Sequence, residues 1–428
     1  MPPLGGGMEI NMIIHTVGSS DTVYSISKQY SVPESRIITD NFLDTTKKLT
    51  VGQTLIISRP CKICTVMGGD TLEGIAKRNG VNVMTLLQNN PVLLSEALTP
   101  SQTLNVEYEK NGDKSIIVMA YTGSASVGEI EKCLPYVSIL NIQNETFINS
   151  GEVKLQNGGE KLIRLARNYR ALPLLSLDCT SGGGFLGRDT LPAVLESPIA
   201  TEKFIQSIIT LLKQSGAMGI EMLTYMGNTP LKYKLYDLML ALGSLLRDEG
   251  YTFSLPYLPD ITKDEDAANF NDISDIIPVW SYLWDDEKSG SPACPIDKVE
   301  KTFRSPSLFP YLAKSLLGIP TFGTEYSKTA TGYRKETVDA SKGLLTTHHH
   351  PVLTSFDNTL GVPYVNYSDR TRSGEPQKTI YYEDARSYSM KLDLIETFDL
   401  AGVNVTSLAY RSPILWQLLN QRFNIIKY

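Results

Sequence analysis

Between Val17 and Val106 the pattern of apolar and polar positions runs twice. The stretch "VGSSDTVYSISKQYSVPESRIITDNFLDTTKKLTVGQTLII" returns as "VMGGDTLEGIAKRNGVNVMTLLQNNPVLLSEALTPSQTLNV". Val17 matches Val66, Ile26 matches Ile75, Asn41 matches Asn90 and Leu55 matches Leu104, each pair 49 residues apart. Within a unit, Asp-Thr stands as a cap before apolar residues at helical spacing, Val23, Ile26 and Tyr30. A second helix is expected around Ile37, and short β-rich runs close both ends. Each unit therefore predicts strand, helix, helix, strand, over residues 13–59 and 61–107.

From about Ser115 the pattern changes to short, continuous apolar runs. Eight of them read as strands: "SIIVMAY", "VSILNIQ", "PLLSLDC", "MGIEMLTYM", "YTFSLPYL", "DIIPVWSYLWD", "SLLGIPTFG" and "GVNVTSLAY". Amphipathic helical stretches lie between most of them, among them "ATEKFIQSIITLLKQSG" and "DARSYSMKLDLIETFDLA". Eight alternating strand and helix units predict an α/β fold, a (β/α)8 TIM barrel over residues 113–428. Residues 333–382 are too long for one connection and predict a small α+β insertion, with a helix in "TVDASKGLL".

The chain has 428 residues, 42% of them hydrophobic, and a formal net charge of −6. Its Lys and Arg residues are scattered, which argues against a nucleic-acid partner. No run approaches the roughly 20 apolar residues of a membrane helix, and the N-terminal stretch lacks the pattern of a secretory signal. Cys61 and Cys64 have no second pair or nearby histidines, and the three side chains of "THHHP" (347–351) diverge, so no metal site and no cofactor are expected. The glycine-rich "DCTSGGGF" has neither the Lys-Ser/Thr nor the strand context of a phosphate loop.

The repeat resembles the LysM module, whose pattern V-x-x-G-D-T-x-x-x-I-A, N and L-x-x-G-Q-x-L-x-I it carries almost whole. That resemblance implies binding to N-acetylglucosamine-containing glycans through the loop before the first helix and the loop after the second. The candidate residues are Gly18, Ser20, Asp21, Thr22 and Asn41 in the first unit, and Gly69, Asp70, Thr71, Asn90 and Pro91 in the second. For Asp21 and Asp70, helix capping is the plainer role. Two modules in tandem would raise avidity for a repeating polymer through effective concentration.

The barrel resembles glycoside hydrolase family 18, the chitinase-like barrels, and within it the branch where LysM modules precede an N-acetylglucosaminidase of the spore cortex. The residues that carry this are "WSY" (280–282), "PIDKVEKTF" (295–303), "LLGIPTFGTEY" (316–326), "YYEDARSYSMKLDLIETFDLAGV" (381–403) and "PILWQLLNQRF" (413–423). In that family the fourth strand carries D-G-x-D-x-D-x-E, with the glutamate as general acid and the preceding aspartate orienting the substrate's acetamido group. Here those acidic positions hold Met218, Glu221, Leu223 and Tyr225. A tyrosine of ordinary pKa near 10 is a poor acid and a leucine cannot orient an amide. Glu221 lies four residues before Tyr225, about 13 Å deeper, and is expected as a buried acid in a polar cluster. Thr406 stands where the family keeps an aromatic floor.

The resemblance leaves Tyr282, Trp284, Asp285, Glu325, Tyr326 and Asp178 as candidates for glycan contact at the barrel mouth. The resulting expectation is a glycan-binding protein of the spore coat, cortex or cell wall whose barrel has lost glycosidase activity. One alternative is an active N-acetylglucosaminidase that recruits Glu325, Asp285 or Asp178 as its acid. Another is a structural spore coat protein whose barrel meets other coat proteins.

Overall fold

The computed structural model describes residues 12–108, 110, 112–143, 145–179, 190–223, 231–259, 271–282, 284, 289–350, 352–368, 377–410 and 412–428. The first repeat folds as strand Met12–Thr16, helices Val23–Tyr30 and Glu34–Asp40, and strand Thr54–Ser58. The second follows the same plan, with strand Pro60–Thr65, helices Leu72–Asn79 and Val83–Asn89, and strand Thr103–Tyr108. In each unit the two strands pair antiparallel and bury a small core, around Ile26, Ile37 and Leu55 in one and Ile75, Leu86 and Leu104 in the other.

Threonine, not aspartate, caps the first helix of each repeat. The Thr22 hydroxyl accepts from the Ser25 amide at 3.0 Å and the Thr71 hydroxyl from the Gly74 amide at 3.1 Å. Because that hydroxyl satisfies one of the orphan amides of the first turn, Thr71→Ala is expected to cost about 1 kcal/mol. The loss is read as weaker hydrogen-exchange protection across Leu72–Asn79, and unchanged protection there would show that the cap contributes nothing.

Eight parallel strands make the barrel: Ser115–Tyr121, Ile139–Ile142, Leu172–Asp178, Gly219–Leu223, Thr252–Ser254, Ile277–Val279, Ser315–Ile319 and Gly402–Val405. Each coincides with one of the eight apolar runs. Neighbours pair in the order five, four, three, two, one, eight, seven, six, and bridges from Ser254 to Ile276 and from Tyr257 to Val279 close the ring. These strands read as unbroken apolar runs because both faces are buried. One set of alternate residues, including Met119, Tyr121, Ile139, Leu174 and Leu316, fills the interior, and the other, including Val118, Leu140, Leu175 and Ile220, packs under the helices.

The fourth strand can enter this ring only with a glycine at its start. A Cβ on Gly219 would lie 2.0 Å from the Thr252 carbonyl oxygen of the fifth strand, closer than any side chain tolerates. Among the described residues no helix is long and apolar enough to cross a membrane.

The insertion is a five-stranded antiparallel sheet in the order Tyr333–Asp339, Phe322–Lys328, Lys378–Tyr381, Val362–Tyr367 and Ser355–Asp357, flanked by helix Ser341–His349. It therefore takes in Phe322–Lys328, which lies before the expected boundary at Tyr333. The "TVD" of the expected helix is strand instead. Thr337 and Val338 pair across to Thr324 and Gly323, so ladder hydrogen bonds outweigh a helical reading of the local pattern.

The repeats pack directly on the barrel. Ser58 donates to Gln421 at 2.8 Å, Asn420 to Asn89 at 2.8 Å, Gln88 to the Pro135 carbonyl at 2.8 Å and the Ala385 amide to Thr54 at 3.2 Å. Gly52, at φ +88°, lies so close to the insertion that a Cβ would meet the Thr354 carbonyl oxygen at 2.3 Å. Arg36 of the first repeat bonds Asn105 and Tyr108 of the second. These polar contacts hold the two repeats against each other and against the barrel.

Candidate functional site

The mouth of a (β/α)8 barrel lies at the C-terminal ends of its strands, where chemistry is concentrated in this fold. Leu223 ends the fourth strand, buried, and pairs in register with Asp178 at the end of the third. Tyr225 and Asp285 lie outside the described residues. Met218 sits just before the strand, its amide donating to the Pro173 carbonyl at 2.8 Å and its carbonyl accepting from Thr252 at 2.9 Å. It lies at the opposite end of the strand from the mouth.

Glu221 is fully buried inside the barrel, as its depth on the strand predicts. Tyr121 donates to its Oε2 at 2.9 Å, and the hydroxyls of Ser176 and Ser254 donate at 3.4 Å. Burial in this enclosed space pushes its carboxyl up to about 7, against hydrogen bonds that favour the charged form. A carboxylic acid with that value would suit proton donation near neutral pH. Glu221 still cannot reach a glycosidic oxygen, because it has no exposed surface and all its described partners belong to the barrel wall.

Above it, at the end of the sixth strand, Trp280 reaches across the interior. Its indole N–H donates to the Tyr121 hydroxyl at 3.2 Å, its ring meets Tyr121 edge-on at 5.9 Å, and it stacks on Tyr282 at 5.8 Å and 27°. Half-buried, Trp280 offers an aromatic surface at the mouth. Thr406, the expected floor position, is occupied locally: its amide donates to the Ile319 carbonyl at 3.2 Å and its hydroxyl lies 3.3 Å from that of Thr321. The half-buried aromatic ring described here therefore follows the sixth strand, while Thr406 follows the eighth. Tyr282 is buried beneath Trp280, and burial pushes its phenol well up. Trp284 packs under Lys298, whose ammonium lies 5.2 Å above its ring.

Glu325 and Tyr326 sit in the insertion sheet, both nearly inaccessible. Glu325 is bonded by Lys342 at 2.8 Å, Lys378 at 3.4 Å and the Tyr367 hydroxyl at 2.8 Å. Burial works to raise its carboxyl, but the Lys342 and Tyr367 bonds and the two ammoniums outweigh it and hold it below its ordinary range. An ionised, triply bonded carboxylate has no proton to give. Tyr326 donates to the Ser291 carbonyl at 2.7 Å.

In the repeats, several candidate residues are committed to the fold. The Asn41 amide bridges the second helix to the closing strand, donating to Ile37 at 2.9 Å and Ile56 at 2.7 Å while accepting from the Ile56 amide at 2.6 Å. Asn90 repeats this with Leu86 at 2.9 Å and with both backbone groups of Asn105. These bonds make Asn41 and Asn90 ties between the second helix and the closing strand, which fixes the loops that follow. Asp21 accepts from the Gly18 amide at 2.7 Å and from His15 at 2.9 Å, and these bonds lower its carboxyl. Asp70 accepts from Met67 at 2.8 Å and from both Arg78 nitrogens, bringing it to about 2. Both aspartates close the loop ahead of the Thr22 and Thr71 caps. Ser20 and Gly69 are exposed, and Pro91 opens a 3-10 turn, Pro91–Leu94.

The LysM domain family matches residues 15–58 and 64–107. The crystal structure of the Bacillus cereus spore cortex-lytic enzyme SleL superposes with a TM-score of 0.77 at 22% identity, over 97% of this chain and 99% of that one. A family GH18 chitinase from Cycas revoluta, solved with allosamidin, gives a TM-score of 0.56 at 16% identity over 71% and 98% of the two chains. The chain carries two LysM domains and a barrel of the glycoside hydrolase family 18 fold. The cortical fragment-lytic enzyme of Bacillus anthracis is 23% identical to it over 434 residues, 97% of this chain and 99% of that protein.

Two features of the LysM and family 18 parts escape the sequence pattern. Phe42, in the loop after the second helix of the first LysM domain, is half exposed at φ +52°. Trp280, inside the quoted "WSY", becomes a mouth residue only when the sixth strand's parity turns it inward. The only sequence signal for either is an aromatic beside a predicted element boundary.

Proposed function

We propose that the chain binds N-acetylglucosamine-containing peptidoglycan of a bacterial spore through its LysM domains and family 18 barrel, and that the barrel does not hydrolyse it. The observation that carries this reading is Leu223. It stands buried at the strand end where the substrate's acetamido group needs a carboxylate, and the strand's one carboxylate, Glu221, is sealed below. Substrate-assisted hydrolysis uses the sugar's own acetamido group as nucleophile, so a lost acid and a lost orienting carboxylate remove both protein contributions. An aromatic mouth around Trp280 still suits a sugar's CH face. The names of the relatives, spore cortex-lytic and cortical fragment-lytic, support the spore peptidoglycan and a spore-associated location.

Purified protein is expected to be pulled down by cortex peptidoglycan and by chitin-type oligosaccharides while releasing no muropeptides. Asp178 is the carboxylate to watch, since it ends the third strand opposite Leu223. Steady hydrolysis that survives Tyr225→Phe and disappears with Asp178→Asn would overturn the loss of activity and make Asp178 the acid.

A further inference from the structure

A groove of about 580 Å³ runs between the two LysM domains and the flank of the barrel. One wall is Phe42 and Leu43 of the first domain, the next is Pro91 and Val92 of the second, and the third is Trp416 and Tyr410 of the barrel. Each LysM domain contributes its loop after the second helix, while the loops before the first helix stay outside it. The groove is mainly apolar, with Glu129 and Lys132 among the polar residues of its lining, and Trp416 in it stacks on Tyr136 at 5.8 Å and 24°.

It does not end at the barrel flank. Tyr410 follows the eighth strand at the mouth, and its ring lies 6.0 Å from Phe322. Phe322 lies 6.5 Å from Tyr282, which stacks under Trp280. Tyr410, Phe322, Tyr282 and Trp280 therefore form a chain of ring contacts from the groove to the barrel mouth, in which Tyr282 is buried and the other three are half-buried. Isolated aromatics on a surface need no explanation, but a run of them joining two binding regions does.

We propose that the groove and this aromatic series are one track, and that a single N-acetylglucosamine-containing glycan strand lies along it, held at once by both LysM domains and the barrel. The inference rests on the glycan-binding reading given above. A sugar polymer fits because it presents an apolar CH face at each residue and extends far enough to meet all three walls. Continuity with the loops of two LysM domains at one end and the family 18 mouth at the other distinguishes it from a general apolar patch. The direct packing of the LysM domains on the barrel fixes the walls in advance, which lowers the ordering cost of binding a long strand.

The track predicts that affinity grows with glycan length. Titration calorimetry with chitobiose, chitotetraose and chitooctaose is expected to give at least tenfold tighter binding for the longest, with a change in tryptophan fluorescence from Trp416 and Trp280. Tyr410→Ser should lower octamer affinity about tenfold and collapse the ratio of long to short affinities. Phe42→Ser, at an exposed ring that folding does not need, should do the same and decides the matter if the Tyr410 variant does not fold. Equal affinity at all lengths, or octamer binding by Phe42→Ser equal to that of the unmodified chain, overturns the track while leaving glycan binding intact. Dimerisation that Phe42→Ser abolishes and octasaccharide does not displace assigns the groove to a second copy and also overturns it. If the unmodified chain binds no oligosaccharide and no cortex fragment, the glycan-binding reading itself falls.

Discussion

Glu221→Gln is expected to stabilise the protein by about 3 kcal/mol above pH 7 and to change little near pH 4.5. The folded carboxyl sits at about 7 because burial disfavours its charged form, against an ordinary value of 4.5. The folded state therefore holds a proton that the unfolded chain releases between those values. A group raised in this way leaves stability intact below its unfolded value, and that stability is lost as pH rises through the folded value. Glutamine keeps the shape, cannot ionise, and retains an oxygen for the Tyr121 and Ser254 hydroxyls, while the Ser176 hydroxyl, which faces the other carboxylate oxygen, can turn to accept from its amide. Urea unfolding of both proteins from pH 4.5 to 8.5 should show two curves diverging with pH. Parallel curves would mean that Glu221 is ionised in the fold, and that a counter-charge or solvent reaches it.

Lys391→Met is expected to cost about 3–5 kcal/mol, because it removes one member of a buried ion pair and leaves the other uncompensated. The Lys391 ammonium donates to Glu383 Oε2 at 2.8 Å, and the lysine side chain has no exposed surface. Glu383 follows the insertion strand Lys378–Tyr381, and Lys391 lies on helix Ala385–Thr397, which leads into the eighth barrel strand. The pair thus ties the insertion to the barrel. Replacing both, Glu383→Gln with Lys391→Met, should recover most of the loss, since a neutral buried pair carries no stranded charge. Urea midpoints at constant slope give both values. A double variant as unstable as the single one would show that packing around Lys391, and not its charge, accounts for the effect.

Much of the fold was legible because it depends on local patterning. The repeat at 49 residues carried two strand, helix, helix, strand units, and continuous apolar runs carried eight strands that must be buried on both faces. The depth of Glu221 followed from strand rise alone. The insertion boundary was not legible. Phe322–Lys328 follows the seventh strand with the same apolar character, and only antiparallel pairing to Tyr333–Asp339 and Lys378–Tyr381 takes it into another sheet. That pairing buries Tyr326 in the insertion sheet and sets Glu325 there between Lys342 and Lys378.

The site was legible in the residues it lacks and less so in those it has. Which residues stand at the positions aligned with the family motif, Leu223 and Tyr225 among them, is a matter of identity and needed only the sequence. Asn41 and Asn90 have side chains that suit a sugar amide, and only the folded loops show those groups bonded to backbone partners. Trp280 became an aromatic surface at the mouth because strand parity turned it inward over Tyr121.

By itself the sequence determined the order of elements, the doubled module and the residue types along the fourth strand, since each is written in residue type and spacing. The tertiary structure decided which polar groups remain available, where the aromatic surface comes from, and that three walls meet in one groove. Those depend on contacts between residues hundreds of positions apart, such as Ser58 with Gln421 and Asn89 with Asn420. No periodicity within one segment specifies which distant segment will cover it, because burial rewards any apolar partner and only the packed whole selects one.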